Sequence, residues 1–181
     1  MELLEYRHIY KRFGDKQVLE DINISIPRGK IIGLLGKNGQ GKTTMIKLAN
    51  DLLVPDQGIV LVNGQPIGVA SKQIIAYLPE RTYLDKNLTV AQIIAFFMDF
   101  YTDFDQDKAR RLLADLDLDS RQRLNKMSKG MQEKVHLVLV MSRDADLYIL
   151  DEPLGGVDPA TRDYILKTIL TNFKENASVL L

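Results

Sequence analysis

Nine residues constrain this chain more than any others: Gly36-Lys37-Asn38-Gly39-Gln40-Gly41-Lys42-Thr43-Thr44. They match the phosphate-binding pattern G-x-x-x-x-G-K-[ST] without a mismatch. The flanks suit it. Lys30 to Leu35 is a short apolar run of the kind found in buried parallel strands, and Thr44 to Asn50 reads as the first turns of a helix. Strand, glycine loop and helix form one known supersecondary unit. Glycines reach backbone angles closed to other residues and keep side chains away from a phosphate. Successive N–H groups then point inward, and the following helix adds its free amides and the positive end of its dipole. Lys42 is expected to meet the β- and γ-phosphates and the Thr43 hydroxyl to ligate Mg²⁺. The loop points to a nucleoside triphosphate, without saying which one or for what purpose.

The 181 residues suffice for one substantial domain, and Lys+Arg and Asp+Glu are both 24. A formal net charge of zero speaks against a broad nucleic-acid face, so no nucleic acid is expected as a partner. The absence of cysteine excludes disulfides and thiolate metal sites. The segment Met1 to Arg7 has no signal-peptide pattern, and no apolar run approaches the ~20 residues that cross a bilayer. Any action at a membrane is therefore expected to pass through a partner.

In chain order, residues up to about Gly29 read as strands. Ile22, Ile24 and Ile26 alternate with Asn23 and Ser25, and Phe13-Gly14-Asp15 and Pro27-Arg28-Gly29 read as turns. Ile59 to Val62 is a strand with the hairpin signal Asn63-Gly64 behind it, and Ile74 to Leu78 is another strand, stopped by Pro79-Glu80. Thr89 is expected to cap a helix on which Val90, Ile93, Ile94, Phe97 and Met98 recur at helical spacing. The aromatics Phe96, Phe97, Phe100 and Tyr101 are read as helix core, with a partner-binding groove as the alternative for those facing outward. Asp105 to about Leu116 forms a second amphipathic helix. Asp115, Asp117 and Asp119 lack the glycine and closing glutamate of a calcium loop and read as a solvated turn. Ser128 is placed to cap a helix whose later turns are apolar, and His136 in that run reads as a packed or surface histidine. Leu147 to Leu150 is a buried strand ending in Asp151-Glu152, Ala160 to about Lys174 a helix, and Ser178 to Leu181 the start of an apolar strand.

Ligands of open α/β sheets bind at the C-terminal ends of strands, where these two acids stand. Asp151 is expected to hold Mg²⁺, directly or through water. Glu152, pointing elsewhere on the strand, is the candidate to polarise an attacking water.

Taken together, these stretches resemble the nucleotide-binding subunit of ATP-binding cassette proteins over nearly the whole chain. Phe13 stands where the family stacks an aromatic on adenine, and Gly36 to Thr44 is the Walker A loop. Pro79-Glu80 stands at the Q-loop, Met127-Ser128-Lys129-Gly130-Met131 at the LSGGQ motif, Leu147 to Glu152 at Walker B and Gly156-Val157-Asp158 at the D-loop. The implied fold is α/β: a P-loop NTPase core with a mainly parallel sheet, an N-terminal antiparallel β subdomain and an inserted helical subdomain. Residues 1–80 would hold the β subdomain and loop core, about 81–142 the helical subdomain, and 143–181 the return to the core within one ATPase domain.

Three departures stand out. Glu80 replaces the family's glutamine; it keeps an oxygen for Mg²⁺ but has no amide donor, a trait of exporter-like cassettes with separately encoded membrane subunits. Lys129 and Met131 replace a glycine and the glutamine of LSGGQ, while Ser128 and Gly130 are kept for the phosphate. The family's switch histidine would follow the strand begun at Ser178, and the chain reads as truncated before it.

The resemblance implies ATP and Mg²⁺ as cofactors. Lys37, Asn38, Gly39, Gln40, Gly41 and Thr44 join Gly36, Lys42 and Thr43 around ATP, with Phe13, Ser128, Gly130 and Asp158; Thr43, Glu80 and Asp151 serve the metal; Glu152 is catalytic. It further implies a second copy closing head to tail over ATP, a separate transmembrane permease, and a place on the cytoplasmic face of the membrane. Two alternatives remain at this stage. One is a cassette ATPase without a transport role, although no second cassette, charged linker or sustained heptad insertion is present. The other is a regulatory ATP-binding module without hydrolysis.

Overall fold

A computed structural model describes residues 2–37, 39–153, 159–172 and 174–181. The chain forms two compact units, one of Met1–Tyr77, Asp146–Asp151 and Lys174–Leu181, the other of Leu78–Ala145 and Glu152–Phe173.

The first unit opens on two long strands, β1 (Glu2–Phe13) and β2 (Lys16–Pro27), paired antiparallel from Glu2↔Pro27 to Phe13↔Lys16. Strand β4 (Gln57–Val62) lies on the other side of β1, and β5 (Gln65–Pro66) pairs with β4, giving the order β2-β1-β4-β5. The expected hairpin is present: Asn63 (φ 52) and Gly64 (φ 72) supply the two positive angles of a tight two-residue turn. A register shift interrupts β1 between Tyr6 and Ile9, and Gly58 (φ 87) fits against it. A Cβ on Gly58 would stand 2.2 Å from the His8 carbonyl oxygen, so no other residue fits.

A second sheet runs β3 (Ile31–Ile32), β8 (Ser178–Leu180), β7 (Leu147–Leu150), β6 (Ile75–Leu78), with β8 parallel to both β3 and β7. Helix α1 (Lys42–Ala49) packs Met45, Ile46, Leu48 and Ala49 into the core formed by both sheets. The buried Tyr6 hydroxyl donates to the Met45 carbonyl at 3.0 Å, fixing α1 to β1. Each such fully buried aliphatic side chain contributes about 1.5–3 kcal/mol. The return strand is tied down by Ser178 Oγ donating to the Pro27 carbonyl at 2.8 Å and by Arg28 pairing with Asp146 at 3.2 Å.

Two expectations change here. The run Lys30 to Leu35 forms only the short β3, with Ile31 43% and Leu35 95% exposed, because β3 is the outermost strand of its sheet among the described residues. Ile74 ends a short helix, α2 (Val69–Ile74), rather than starting the strand.

The second unit is helical. Helix α3 (Val90–Phe100) is capped as expected: Thr89 Oγ1 accepts from Gln92 N at 3.2 Å, and Gln92 Oε1 accepts from Thr89 N at 2.9 Å. Asp105 caps α4 (Gln106–Asp115), and α5 (Lys129–Met141) and α6 (Pro159–Thr171) complete the set. Buried Val90, Ile93, Ala109, Leu112, Leu113 and Val135 give it a core of its own. Arg143, nearly buried, grips Asp103 with Nε at 2.9 Å and Nη2 at 3.0 Å and lies 3.9 Å over the Tyr101 ring. The aromatic face of α3 departs from the core reading. Phe96 is 56% and Phe100 70% exposed, and the two stack on each other at 5.4 Å.

Candidate functional site

In the first unit the described residues of the glycine loop lead directly into α1. Gly41 stands at the N-cap of α1 with φ 90 and ψ 3, a left-handed angle, and no side chain caps the helix. The first amides of α1 therefore have no side-chain acceptor at the cap. A Cβ at Gly41 would lie 2.7 Å from Leu19 Cδ2 and 3.2 Å from the Val18 carbonyl oxygen. Lys42 bends back so that Nζ donates to the Gly36 carbonyl at 2.5 Å and approaches the Lys37 carbonyl at 3.4 Å, which centres its ammonium on the loop. The Gln40 side chain braces the turn by accepting from Lys37 N at 2.8 Å. Gly39 (φ 82) takes a second left-handed angle. Thr43 and Thr44 are half-buried in the first turn of α1.

Phe13, 48% exposed, closes β1 opposite Lys16, two residues before the Val18 carbonyl that lies beside Gly41. The strand order accounts for Asp151. Because β3 and β7 both run parallel to β8, the loop after β3 and the acid after β7 leave the same end of the sheet. Asp151 is 4% exposed, a buried carboxylate. Such a group needs partners in hydrogen bonds or a cation.

The second unit carries the remaining candidates. Glu152 is exposed and takes φ 51, a left-handed angle costing a residue with a side chain on the order of 1 kcal/mol. The strand ends at Leu150, and the turn that follows leaves Asp151 buried and Glu152 exposed. A cavity of about 680 Å³ within this unit brings Glu152 together with Glu80, Thr82, Lys86, Lys129 and Gln132. Ser128 caps α5, its Oγ accepting from Met131 N at 3.2 Å. A Cβ added to Gly130 would touch nothing within 4 Å, so the start of α5 is open on that side. Lys129 pairs with Glu133 at 3.7 Å and is otherwise exposed. Asn38 and Asp158 lie outside the described residues.

Sequence reading did not single out Lys86 or Gln132. Gln132 donates to the Leu124 and Met127 carbonyls at 3.0 and 3.1 Å, holding the approach to α5 in place. Its signal was available: it directly follows Met131, where the expected glutamine is missing. His136 is resolved as a packed residue, buried in α5, with its pKa pushed down to about 4 by desolvation.

Comparison with known proteins bears on the family and the fold. A sequence profile described as ABC transporter matches residues 19–155. The chain is 31% identical over 181 residues to the ABC transporter ATP-binding protein YtrB of Bacillus subtilis, covering 99% of this chain and 62% of that protein. It is 32% identical over 184 residues to the SkfA peptide export ATP-binding protein SkfE of the same organism, covering 98% of this chain and 77% of that one. A solved ATP-binding subunit of an ABC transporter superposes with a TM-score of 0.86 at 28% identity, over 98% of this chain and 78% of that one. The fold is thus the α/β fold of cassette ATPase domains. No described helix is long and apolar enough to cross a membrane. The profile match across the glycine loop and the strand-end acids, with the same fold beneath them, shows that this chain belongs to the ABC transporter family.

Proposed function

We propose that residues 1–181 act as one ATP-binding and ATP-hydrolysing domain that powers a separate membrane permease. The observation that carries this reading is the Lys42 ammonium bonded to the loop carbonyl of Gly36 at 2.5 Å, beside the uncapped amides of α1. That arrangement presents one full positive charge and a row of main-chain donors to a triphosphate. Gly36, Lys37, Asn38, Gly39, Gln40, Gly41, Lys42, Thr43 and Thr44 grip the phosphates, and Phe13 offers its exposed ring to the base.

Mg²⁺ fits the donors present. It is usually held by one or two carboxylates plus phosphate oxygens rather than by a dedicated protein cage. Among the described residues no group of three or more His, Cys, Asp or Glu is assembled, whereas Asp151 and the Thr43 hydroxyl belong to the same unit. Thr43 and Asp151 would hold the ion, which when bound neutralises phosphate charge. Glu152 orients a water and takes its proton as that water attacks the γ-phosphorus; the bond to the β,γ-bridging oxygen breaks, and ADP and phosphate leave.

Ser128, Gly130 and Asp158 serve the ATP of a second copy in a head-to-tail dimer, with the open side of Gly130 admitting the γ-phosphate. The exported cargo named for SkfE and the glutamate at position 80 favour export, at the cytoplasmic face of a membrane. The chain spans 62% of the length of YtrB, so these activities are proposed for the domain described here.

The test is Glu152→Gln. The expected result is ATP binding within about twofold of the parent and turnover lowered by on the order of a hundredfold or more. Unchanged turnover would remove Glu152 from the reaction.

A further inference from the structure

The second unit contains another cleft, of about 530 Å³, between α4 and α6. Its lining joins Lys108 and Arg111 of α4 to Lys167 of α6, three cations against the single carboxylate of Asp115. Tyr164 adds a hydroxyl group, whereas the Thr171 hydroxyl already donates to the Lys167 carbonyl at 2.8 Å. None of the roles given above falls on these residues.

The three cations differ in setting: Arg111 and Lys167 are exposed at the mouth of the cleft, and Lys108 lies deeper. Lys108 is half-buried, and its ammonium donates to the main-chain carbonyl of Asn172. Desolvation lowers its pKa first, Asp105 and Asp144 attract it from a distance, and Arg111 repels it. Among the described residues, none of Lys108, Arg111 and Lys167 makes an ion pair, whereas neighbouring Arg110 pairs with Asp107 at 3.3 Å. The two amide hydrogens of Asn172 are already engaged by the Thr168 carbonyl and Thr171 Oγ1, each at 3.0 Å. Recognition in the cleft therefore rests on its charged donors. Three Lys and Arg side chains lining one cleft, one of them half-buried, favour a compact, multiply charged oxyanion over a neutral ligand.

We propose that the α4–α6 cleft binds a phosphate or pyrophosphate group, free or carried by a small molecule or lipid headgroup, independently of the glycine loop. Nothing in this proposal depends on the chain being an ATPase.

The experiment is an amide-resolved NMR titration of the whole chain with inorganic pyrophosphate, reading residues 106–115 and 162–172 separately from 36–44. The expected result is a saturable response at α4 and α6. Lys108→Gln with Arg111→Gln, and separately Lys167→Gln, should each weaken it about tenfold or more per cation removed, with the response of 36–44 unchanged. Glutamine is a good helix former, and unchanged amide dispersion reports that each variant folds. Loss of the 36–44 response alone would count against the nucleotide reading and leave this one standing. No saturable response at α4 and α6 up to ~10 mM pyrophosphate, or equal affinity in the variants, overturns the proposal. A parallel sedimentation with vesicles of phosphatidic acid in phosphatidylcholine, against phosphatidylcholine alone, separates the sources: charge-dependent pelleting lost in the variants assigns a headgroup, and pyrophosphate binding without pelleting assigns a free anion.

Discussion

Two helices of this protein begin at proposed phosphate sites, and they begin differently. Helix α1 starts at Gly41, which has no side chain with which to cap it, and Lys42 folds onto the loop carbonyls. Helix α5 starts at Ser128, whose hydroxyl already accepts from the Met131 amide, and its first turn carries Lys129 in an ion pair with Glu133. The first terminus is defined by main-chain angles that only glycine adopts cheaply. The second is defined by side chains that others can replace. The difference parallels where this chain departs from the family motifs. The glycine loop matches its pattern at every position, whereas the Met127–Met131 stretch keeps Ser128 and Gly130 and varies around them.

Substitutions can break this contrast. Gly41→Ala should have the largest effect. It forces a Cβ onto a left-handed residue and to within 2.7 Å of Leu19 and 3.2 Å of the Val18 carbonyl. A loss of about 3–4 kcal/mol in denaturant unfolding is expected, with ATP binding lost in parallel. A change below about 1 kcal/mol would show that the loop is not angle-defined.

The buried part of α5 supplies the next test. His136 is neutral in the folded protein, with a pKa of about 4 against an ordinary 6.5. The unfolded chain therefore binds the extra proton between those values, so stability falls as pH drops from about 6.5 to 4. The expected loss from this residue is up to about 3 kcal/mol, and His136→Gln should flatten that part of the stability–pH curve. An unaltered curve would show that His136 takes up its proton without unfolding.

Ser128→Ala should be the mildest, costing about 1 kcal/mol from the lost cap. If it instead matched Gly41→Ala in unfolding, the two termini would not differ in kind.

Much of this was legible in the sequence because the signals are local. The Asn63-Gly64 turn, the Thr89 and Ser128 caps and the strand ending in Asp151 each rest on a few neighbouring residues. What was not legible depends on neighbours distant in sequence. Helix α2 spans six residues, too few to show a period, so Ile74 reads as strand. Phe96 and Phe100 look like core, yet the buried stripe of α3 is filled by Val90, Ile93 and Ile94, and the two rings are left to stack on the surface. The short, exposed β3 follows from its place at the edge of the sheet among the described residues, which the apolar run Lys30 to Leu35 does not reveal. The cavity that collects Glu80, Lys129 and Glu152 joins residues far apart in the chain, so only the acids and the altered motif marked it in advance.

The central claim is that main-chain amides of the glycine loop and the Lys42 ammonium together hold ATP. Calorimetric titration of ATP with Mg²⁺ into the parent chain and into Lys42→Ala tests it most directly. Binding in the parent and a loss of about a hundredfold or more in the variant, with unchanged circular dichroism, is the predicted result. Equal affinity in the two proteins, or no uptake by the parent, would contradict it.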